Sequence, residues 1–183
     1  MSDPVPPAGP VGPPDPVAIA AAAARVRNRI ADAGGDPERV LLLAVTKGFG
    51  LEVAAAALAA GLVDLGENYP QELAAKAAVV AGARWHAIGR LQRNKVRLIA
   101  PHVTLWQSID SGRLGAEVAR RAPGAQVLVQ VNVSDEPQKG GCPPGEAPAL
   151  VAELGDLGLD VRGLMTVGRT GPPADAGAGF ALL

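Results

Sequence analysis

Apolar and polar positions along the chain form blocks that predict strands alternating with helices. Residues 40–45 are apolar without alternation, which is typical of a strand buried on both faces. Before this block, apolar residues from position 19 to 33 recur at helical spacing, and two glycines end that helix. Further blocks predict strands at 40–46, 62–65, 84–88, 104–109, 126–133 and 161–167. They also predict helices at 51–60, 92–99 and 146–154, and helical segments within 66–83 and 110–122.

Strand–helix units of this length indicate a parallel α/β sheet, because parallel neighbours need long connections. An open doubly wound sheet and a (β/α)8 barrel both fit this order. Polar residues at or just after the strand ends favour the barrel, where they would converge on one mouth. They are Lys47, Glu67, Asn68, His86, Gln107, Asn132, Met165 and Thr166.

Composition narrows the possible classes of protein. The 183 residues suffice for one domain, and a net charge of −1 makes nucleic acid or an acidic membrane surface an unexpected partner. Residues 1–16 are proline-rich and predict a disordered tail ahead of a domain at 17–183. The single cysteine, Cys142, excludes an internal disulfide, fits a reducing cytoplasm, and is expected to be a surface thiol in a turn.

The lysine at the end of the first strand is the main candidate for chemistry. Lys47 follows an apolar strand, and Gly48 and Gly50 allow a sharp turn beside its amine. Either the amine is simply solvated, or apolar neighbours lower its pKa and make it a nucleophile toward aldehydes. A dinucleotide fingerprint is not supported, because Val53 replaces the third glycine, and a P-loop frame is absent before Lys47.

Other polar positions have structural explanations as well. Asn68 is predicted to be the N-cap of a helix with Pro70 in its first turn. The polar positions after the third strand predict a solvated helix start. Two separated histidines and one cysteine do not predict a metal site.

Six motifs resemble those of the YggS/PROSC family of pyridoxal-phosphate-binding proteins, which is related to the N-terminal barrel of alanine racemase. They are AVTKG, LGENYPQEL, WHAIGRLQRNKV, SID, VLVQVNVSDEPQKGG and VRGLMTV, and the resemblance covers roughly residues 17 to 183. It implies a (β/α)8 barrel that binds pyridoxal 5′-phosphate as an internal aldimine on Lys47. It further implies that Asn68, His86 and Met165 line the cofactor pocket, although packing or capping explains each of them equally well.

The resemblance also implies that about six of the eight strand–helix units are present. The family's phosphate-binding segments follow its last two strands, so the barrel is expected to be incomplete. The leading hypothesis is a cytoplasmic, non-catalytic protein of pyridoxal phosphate homeostasis. A racemase-type enzyme would need a second base opposite Lys47, and the only tyrosine is Tyr69. A degenerate fragment that no longer holds the cofactor is a further alternative, and the sequence does not identify protein partners.

Overall fold

A computed structural model describes residues 14–134 and 136–183. The helices are α1 (Pro16–Asp32), α2 (Leu51–Ala59), α3 (Pro70–Ala77), α4 (Arg93–Ile99), α5 (Gly112–Arg121), α6 (Ala147–Asp156) and α7 (Gly177–Phe180). The strands are β1 (Ala44–Val45), β2 (Asp64–Glu67), β3 (Arg84–Ala87), β4 (Val103–Ile109), β5 (Gln126–Gln130) and β6 (Asp160–Met165). Short 3-10 helices span Pro137–Lys139, Pro144–Glu146 and Pro173–Ala176.

The six strands form one parallel sheet in sequential order, from β1 at one side to β6 at the other. An open doubly wound sheet would reverse its strand order partway, and this sheet does not. The predicted parallel α/β architecture of barrel type is therefore confirmed. The described strands form six neighbouring strands of such a barrel and do not close into a ring, as expected.

The core lies between the sheet and the helices that connect its strands. In-register pairs such as Leu65 with Trp85 place large side chains on this helix-facing side, where they are almost fully buried. Val96 of α4 and Leu114 and Val118 of α5 pack into the same apolar cluster. The other face, which we call the inner face, carries polar residues of β2 to β5. The helix-facing side of the sheet therefore supplies the apolar core, and the inner face carries the polar side chains.

The predicted proline-rich tail lies mostly outside the described residues, which begin at position 14. Pro16, assigned to the tail by sequence, is instead the first residue of α1. Its fixed φ suits the first helical turn, and the Asp15 side chain caps the helix by accepting a hydrogen bond from Val17 N at 2.9 Å.

The predicted N-cap of α3 was wrong by one residue. The helix begins at Pro70, and its N-cap is Tyr69, whose backbone is extended at φ −105° and ψ 118°. A proline disfavours helical geometry in the residue before it, so Tyr69 takes the extended N-cap conformation and Asn68 stays outside the helix. Asn68 therefore belongs to the connection between β2 and α3, without a capping role.

Candidate functional site

Lys47 occupies a tight turn at the C-terminal end of β1. The turn closes with a hydrogen bond from Phe49 N to Thr46 O at 3.2 Å, and Gly48 adopts φ 74° at its third position. This positive φ is typical of a type II turn and favours glycine. The Lys47 side chain is exposed, and none of the described residues forms a hydrogen bond or ion pair with its amine. The turn therefore presents a primary amine that has no described protein partner.

A buried ion-paired group lies directly behind this turn, between β1, β2 and helix α3. We call it the β1 anchor, and it consists of Thr46, Glu67, Glu72 and Lys76. Lys76 Nζ donates to Glu67 Oε1 at 2.6 Å, to Thr46 O at 2.7 Å and to Glu72 Oε2 at 3.3 Å. The three N–H groups of the ammonium thus have three acceptors.

The carboxylates of the β1 anchor are held in different ways. Glu67 Oε1 also accepts from Thr46 Oγ1 at 2.6 Å, whereas Glu67 Oε2 has no hydrogen-bond partner within the described part of the chain. Burial raises the pKa of Glu67, and the hydrogen bonds from Lys76 and Thr46 oppose that increase. Glu72 is nearer to solvent and accepts from Gly48 N at 2.9 Å. The anchor therefore contacts the backbone on both sides of Lys47.

A second group of polar side chains lies on the inner face. We call it the His86 cluster, and it consists of Asp64, Arg84, His86 and Gln107. His86 Nε2 lies 3.0 Å from Asp64 Oδ1, and His86 Nδ1 lies 2.8 Å from Gln107 Nε2. Because the Gln107 amide nitrogen donates, His86 Nδ1 accepts and its Nε2–H donates to Asp64. This arrangement is that of a neutral imidazole, and burial lowers the pKa of His86 in agreement with it.

Asp64 links the His86 cluster to the surface. Its Oδ1 accepts from Arg84 Nε at 2.8 Å, and the hydrogen bond from that guanidinium is the main reason why the pKa of Asp64 is lowered. The Asp64 side chain is buried, whereas Arg84 is 54% exposed. His86 therefore donates to a carboxylate whose charge is stabilised from outside.

Asn68 lies where two loops touch, after β2 and after β3. A Cβ atom placed on Gly89 would lie 2.5 Å from Asn68 O and 2.6 Å from Asn68 Cα, closer than real Cβ contacts allow. Only glycine permits this approach of the two backbones. Ser108 Oγ donates to Gly89 O at 2.6 Å, which fixes the same loop to β4. These contacts hold Asn68 beside the strand ends.

Met165 is the last residue of β6 and pairs in register with Gln130 of β5. Val131 N donates to Met165 O at 2.9 Å, and Thr166 Oγ1 donates to Val131 O at 2.7 Å. The Met165 side chain is half-buried. It therefore lies at the C-terminal end of β6, the edge strand opposite to β1, which carries Lys47.

The structure places the four predicted site residues at or near the C-terminal ends of β1, β2, β3 and β6. His86 differs from the others, because it is one residue before the end of β3 and both ring nitrogens are bound to side chains. Sequence reasoning missed Glu72 and Lys76. Their i, i+4 spacing and the position of Lys76 three residues after the buried Leu73 indicate a lysine facing the core, which needs a buried partner.

Cys142 is buried rather than a surface thiol, so this expectation was wrong. Its backbone bridges to β5, with Cys142 N donating to Gln130 O and Asn132 N donating to Cys142 O, each at 2.9 Å. This pairing places Cys142 directly against the end of β5. Burial raises the pKa of the thiol.

Two further classes of feature are absent from residues 14–134 and 136–183. No helix there is long and apolar enough to cross a membrane. In the same ranges, no three histidine, cysteine, aspartate or glutamate side chains lie together as a group that could hold a metal ion.

Comparison with known families gives a match over most of the chain. Residues 15–176 match the family described as alanine racemase, N-terminal domain. The pyridoxal phosphate homeostasis protein of Pseudomonas aeruginosa is 42% identical over 156 residues, which cover 81% of this chain and 68% of that protein. The matched region is thus about two thirds of the relative's length.

Solved structures agree with this match. PipY of Synechococcus elongatus without PLP aligns with a TM-score of 0.75 at 32% identity, covering 85% of this chain and 74% of PipY. PipY with PLP bound aligns with a TM-score of 0.64 at 29% identity, covering 81% and 73%.

Alanine racemase from Bacillus anthracis shares the fold alone, with a TM-score of 0.66 at 18% identity over 92% of this chain and 44% of the racemase. Together with the parallel order of the strands and the lysine turn at the end of β1, these matches establish that the chain belongs to the YggS/PROSC family of pyridoxal phosphate homeostasis proteins, whose barrel is the alanine racemase N-terminal domain.

Proposed function

We propose that this chain binds pyridoxal 5′-phosphate as a Schiff base on Lys47 and serves pyridoxal phosphate homeostasis without catalytic turnover. The observation that carries the proposal is the exposed Lys47 amine in the turn after β1. The names of the relatives and the PLP-bound PipY structure support the choice of cofactor. A cytoplasmic location is part of the proposal, because one cysteine suits a reducing compartment.

The residues around Lys47 fit a bound aldehyde. Pyridoxal phosphate, when bound, would supply an aldehyde, and Lys47 would hold it through its amine, with water as the by-product of the linkage. Gly48 adds no side chain beside the amine, and its positive φ lets the chain turn sharply after Lys47. The chain's own contribution is therefore an exposed amine on a tight turn at the end of β1.

Three further residues are proposed to contact the cofactor or support its pocket. Asn68 has a side chain near the strand ends and a backbone fixed by Gly89. Met165 offers an apolar surface at the end of β6. His86 has both ring nitrogens bound to Asp64 and Gln107, so its proposed contribution is to order the inner face rather than to exchange protons.

The chain has four lysines, so a covalent label can be assigned to one of them. They are Lys47, Lys76, Lys95 and Lys139. Purified protein is titrated with pyridoxal phosphate while the absorbance band of the imine is followed. Borohydride then reduces the linkage so that peptide mass spectrometry identifies the labelled lysine. We expect the label on Lys47, loss of the band in Lys47→Ala, and an unchanged band in the control Lys95→Ala.

A label on another lysine, or an imine band that survives Lys47→Ala, would contradict the proposed attachment. Racemisation of alanine is measured on the same samples. Sustained turnover that disappears in Lys47→Ala would contradict the absence of catalysis.

A further inference from the structure

The amine of Lys47 has no described partner, yet the peptide groups on both sides of it are held from helix α3. Lys76 Nζ donates to Thr46 O at 2.7 Å, on the N-terminal side of Lys47. Gly48 N donates to Glu72 Oε2 at 2.9 Å, on its C-terminal side. The two helix residues are themselves joined, with 3.3 Å between Lys76 Nζ and Glu72 Oε2. One helix therefore fixes both peptide groups that set the direction of the Lys47 side chain.

The burial of this group makes a purely stabilising role a poor explanation. The side chains of Lys76 and Glu67 are 5% and 0% exposed. Removing two charges from water costs about as much as their attraction returns, so apolar side chains of similar volume often give equal or greater stability. What apolar side chains would not supply is a hydrogen bond to Thr46 O.

Lys76 is also not an ordinary surface lysine that pairs with a carboxylate in solvent. Its ammonium is fully used by three acceptors on three different elements: the turn after β1, the end of β2, and its own helix. A long side chain held at its tip in this way has lost its rotamer freedom, and it transmits the position of α3 to the turn.

We propose that Lys76, together with Glu67 and Glu72, is a positioning residue that fixes the turn carrying Lys47 and so presents the Lys47 amine to an aldehyde cofactor. The inference rests on the proposed function, because it assigns a role in forming the linkage to Lys47. Glu67 orients Lys76, Lys76 holds the carbonyl before Lys47, and Glu72 holds the N–H after it. None of the three touches the reacting atoms.

The main test separates positioning from stability with the double variant Lys76→Met, Glu67→Gln. This variant replaces the buried Lys76–Glu67 pair by neutral side chains, so the charge that remains is that of Glu72, whose side chain is 22% exposed. The introduced amide oxygen can still accept from the Thr46 hydroxyl. It lacks the hydrogen bond to Thr46 O. We expect imine formation with pyridoxal phosphate to be between about tenfold and about a hundredfold slower than in the wild type, because small misplacements of a reacting group have effects of this size.

The control for a general loss of packing is Leu73→Ala, on the same buried face of α3. Leu73 is 1% exposed, so its truncation weakens the helix packing without removing a hydrogen bond to the turn. We expect Leu73→Ala to lower the thermal midpoint and leave the rate of imine formation near that of the wild type. Equal slowing in Leu73→Ala and in the double variant would overturn the inference.

A second pair of variants tests the other side of the turn at a better tolerated position. Glu72→Ala removes the acceptor for Gly48 N, whereas Glu72→Gln keeps an acceptor oxygen and removes the charge. We expect Glu72→Ala to slow imine formation and Glu72→Gln to restore most of the rate. The same rate in all three proteins would overturn the inference for Glu72.

The outcomes also distinguish this inference from the proposed function. If the wild type forms no imine on Lys47, the proposed function fails. If the wild type forms the imine and the folded double variant forms it at the same rate, only the positioning role fails. Folding of each variant is checked by circular dichroism, and a variant that does not fold is replaced by Glu72→Ala, whose result then decides the question.

Discussion

Two of the ion-paired groups, the β1 anchor and the His86 cluster, involve neighbouring strands but lie on opposite faces of the sheet and make different kinds of contact. In the β1 anchor, charged side chains end on backbone groups, namely Thr46 O and Gly48 N. In the His86 cluster, Asp64, His86 and Gln107 bind one another only through side chains. The first arrangement fixes the path of the chain, and the second fixes the protonation state of a ring. Similar residue types thus perform different tasks because their acceptors differ.

The two groups also respond oppositely to pH. Burial raises the pKa of Glu67, so its contribution to stability is full below the ordinary glutamate pKa and is lost as pH rises through the raised value. The pKa of His86 is lowered, so its contribution is present above the ordinary histidine pKa and is lost as pH falls through the lowered value. The pKa of Asp64 is lowered too, and its contribution is lost in more acidic solution.

The largest expected effect is that of Lys76→Met alone, which breaks the β1 anchor. It leaves the buried Glu67 without a cation, and breaking a buried pair in this way costs roughly 3–5 kcal/mol of unfolding free energy. Urea unfolding measures this loss. The double variant Lys76→Met, Glu67→Gln should recover most of it, and failure to recover would show that the ammonium itself supplies the stability.

A smaller loss is expected from Asp64→Ala in the His86 cluster. The buried His86 Nε2–H then has no acceptor, which costs about 1–3 kcal/mol, while the exposed Arg84 can turn to water. Asp64→Asn keeps an acceptor oxygen and should lose less, as measured by urea unfolding. Equal losses in the two variants would mean that the charge of Asp64, rather than its hydrogen bond to His86, matters.

The pH dependence sharpens the comparison further. As pH falls below 6.5, the wild type should lose unfolding free energy relative to His86→Gln, by at most about 1.4 kcal/mol per pH unit for one proton. As pH rises above 4.5, the wild type should lose unfolding free energy relative to Glu67→Gln. Urea unfolding at a series of pH values measures both, and slopes of the same sign would contradict the assignment.

The smallest effect on stability is expected from Glu72→Gln. The Glu72 side chain is 22% exposed and lies 3.3 Å from Lys76 Nζ, so the charge contributes less than about 1 kcal/mol. Thermal unfolding compares this variant with Glu72→Ala, which also loses the hydrogen bond from Gly48 N. A larger loss in Glu72→Gln than in Glu72→Ala would contradict this ranking.

The sheet could be predicted because its signals are local. Apolar blocks and the glycine breaks between them indicated all six strands, and polar residues at the strand ends indicated the barrel. Boundaries were less accurate: β1 was predicted at 40–46 but spans Ala44–Val45, because pairing with β2 sets its length. The start of α3 was misplaced because the effect of Pro70 on Tyr69 outweighed the capping preference of Asn68.

The site was only partly accessible from sequence. Lys47 was found because it ends an apolar strand and is followed by Gly48 and Gly50, and because the AVTKG motif resembles that of the family. Its attachment to the cofactor stays a prediction. The β1 anchor was not found, because Lys76 and Thr46 are thirty positions apart and only the packing of α3 on β1 and β2 brings them together. His86 was placed at the mouth, but its Asp64 and Gln107 partners depend on strand register, which sequence patterns do not specify.

The buried Cys142 gives this protein a built-in reporter of local opening. Its thiol is the only one in the chain and is buried, and its backbone is hydrogen-bonded to β5, so we expect a thiol reagent to react when Cys142 separates from β5. The labelling rate of the native protein would therefore report the opening of this contact. Any ligand that tightens the C-terminal ends of β5 and β6 would slow the labelling, and the measurement needs no mutation.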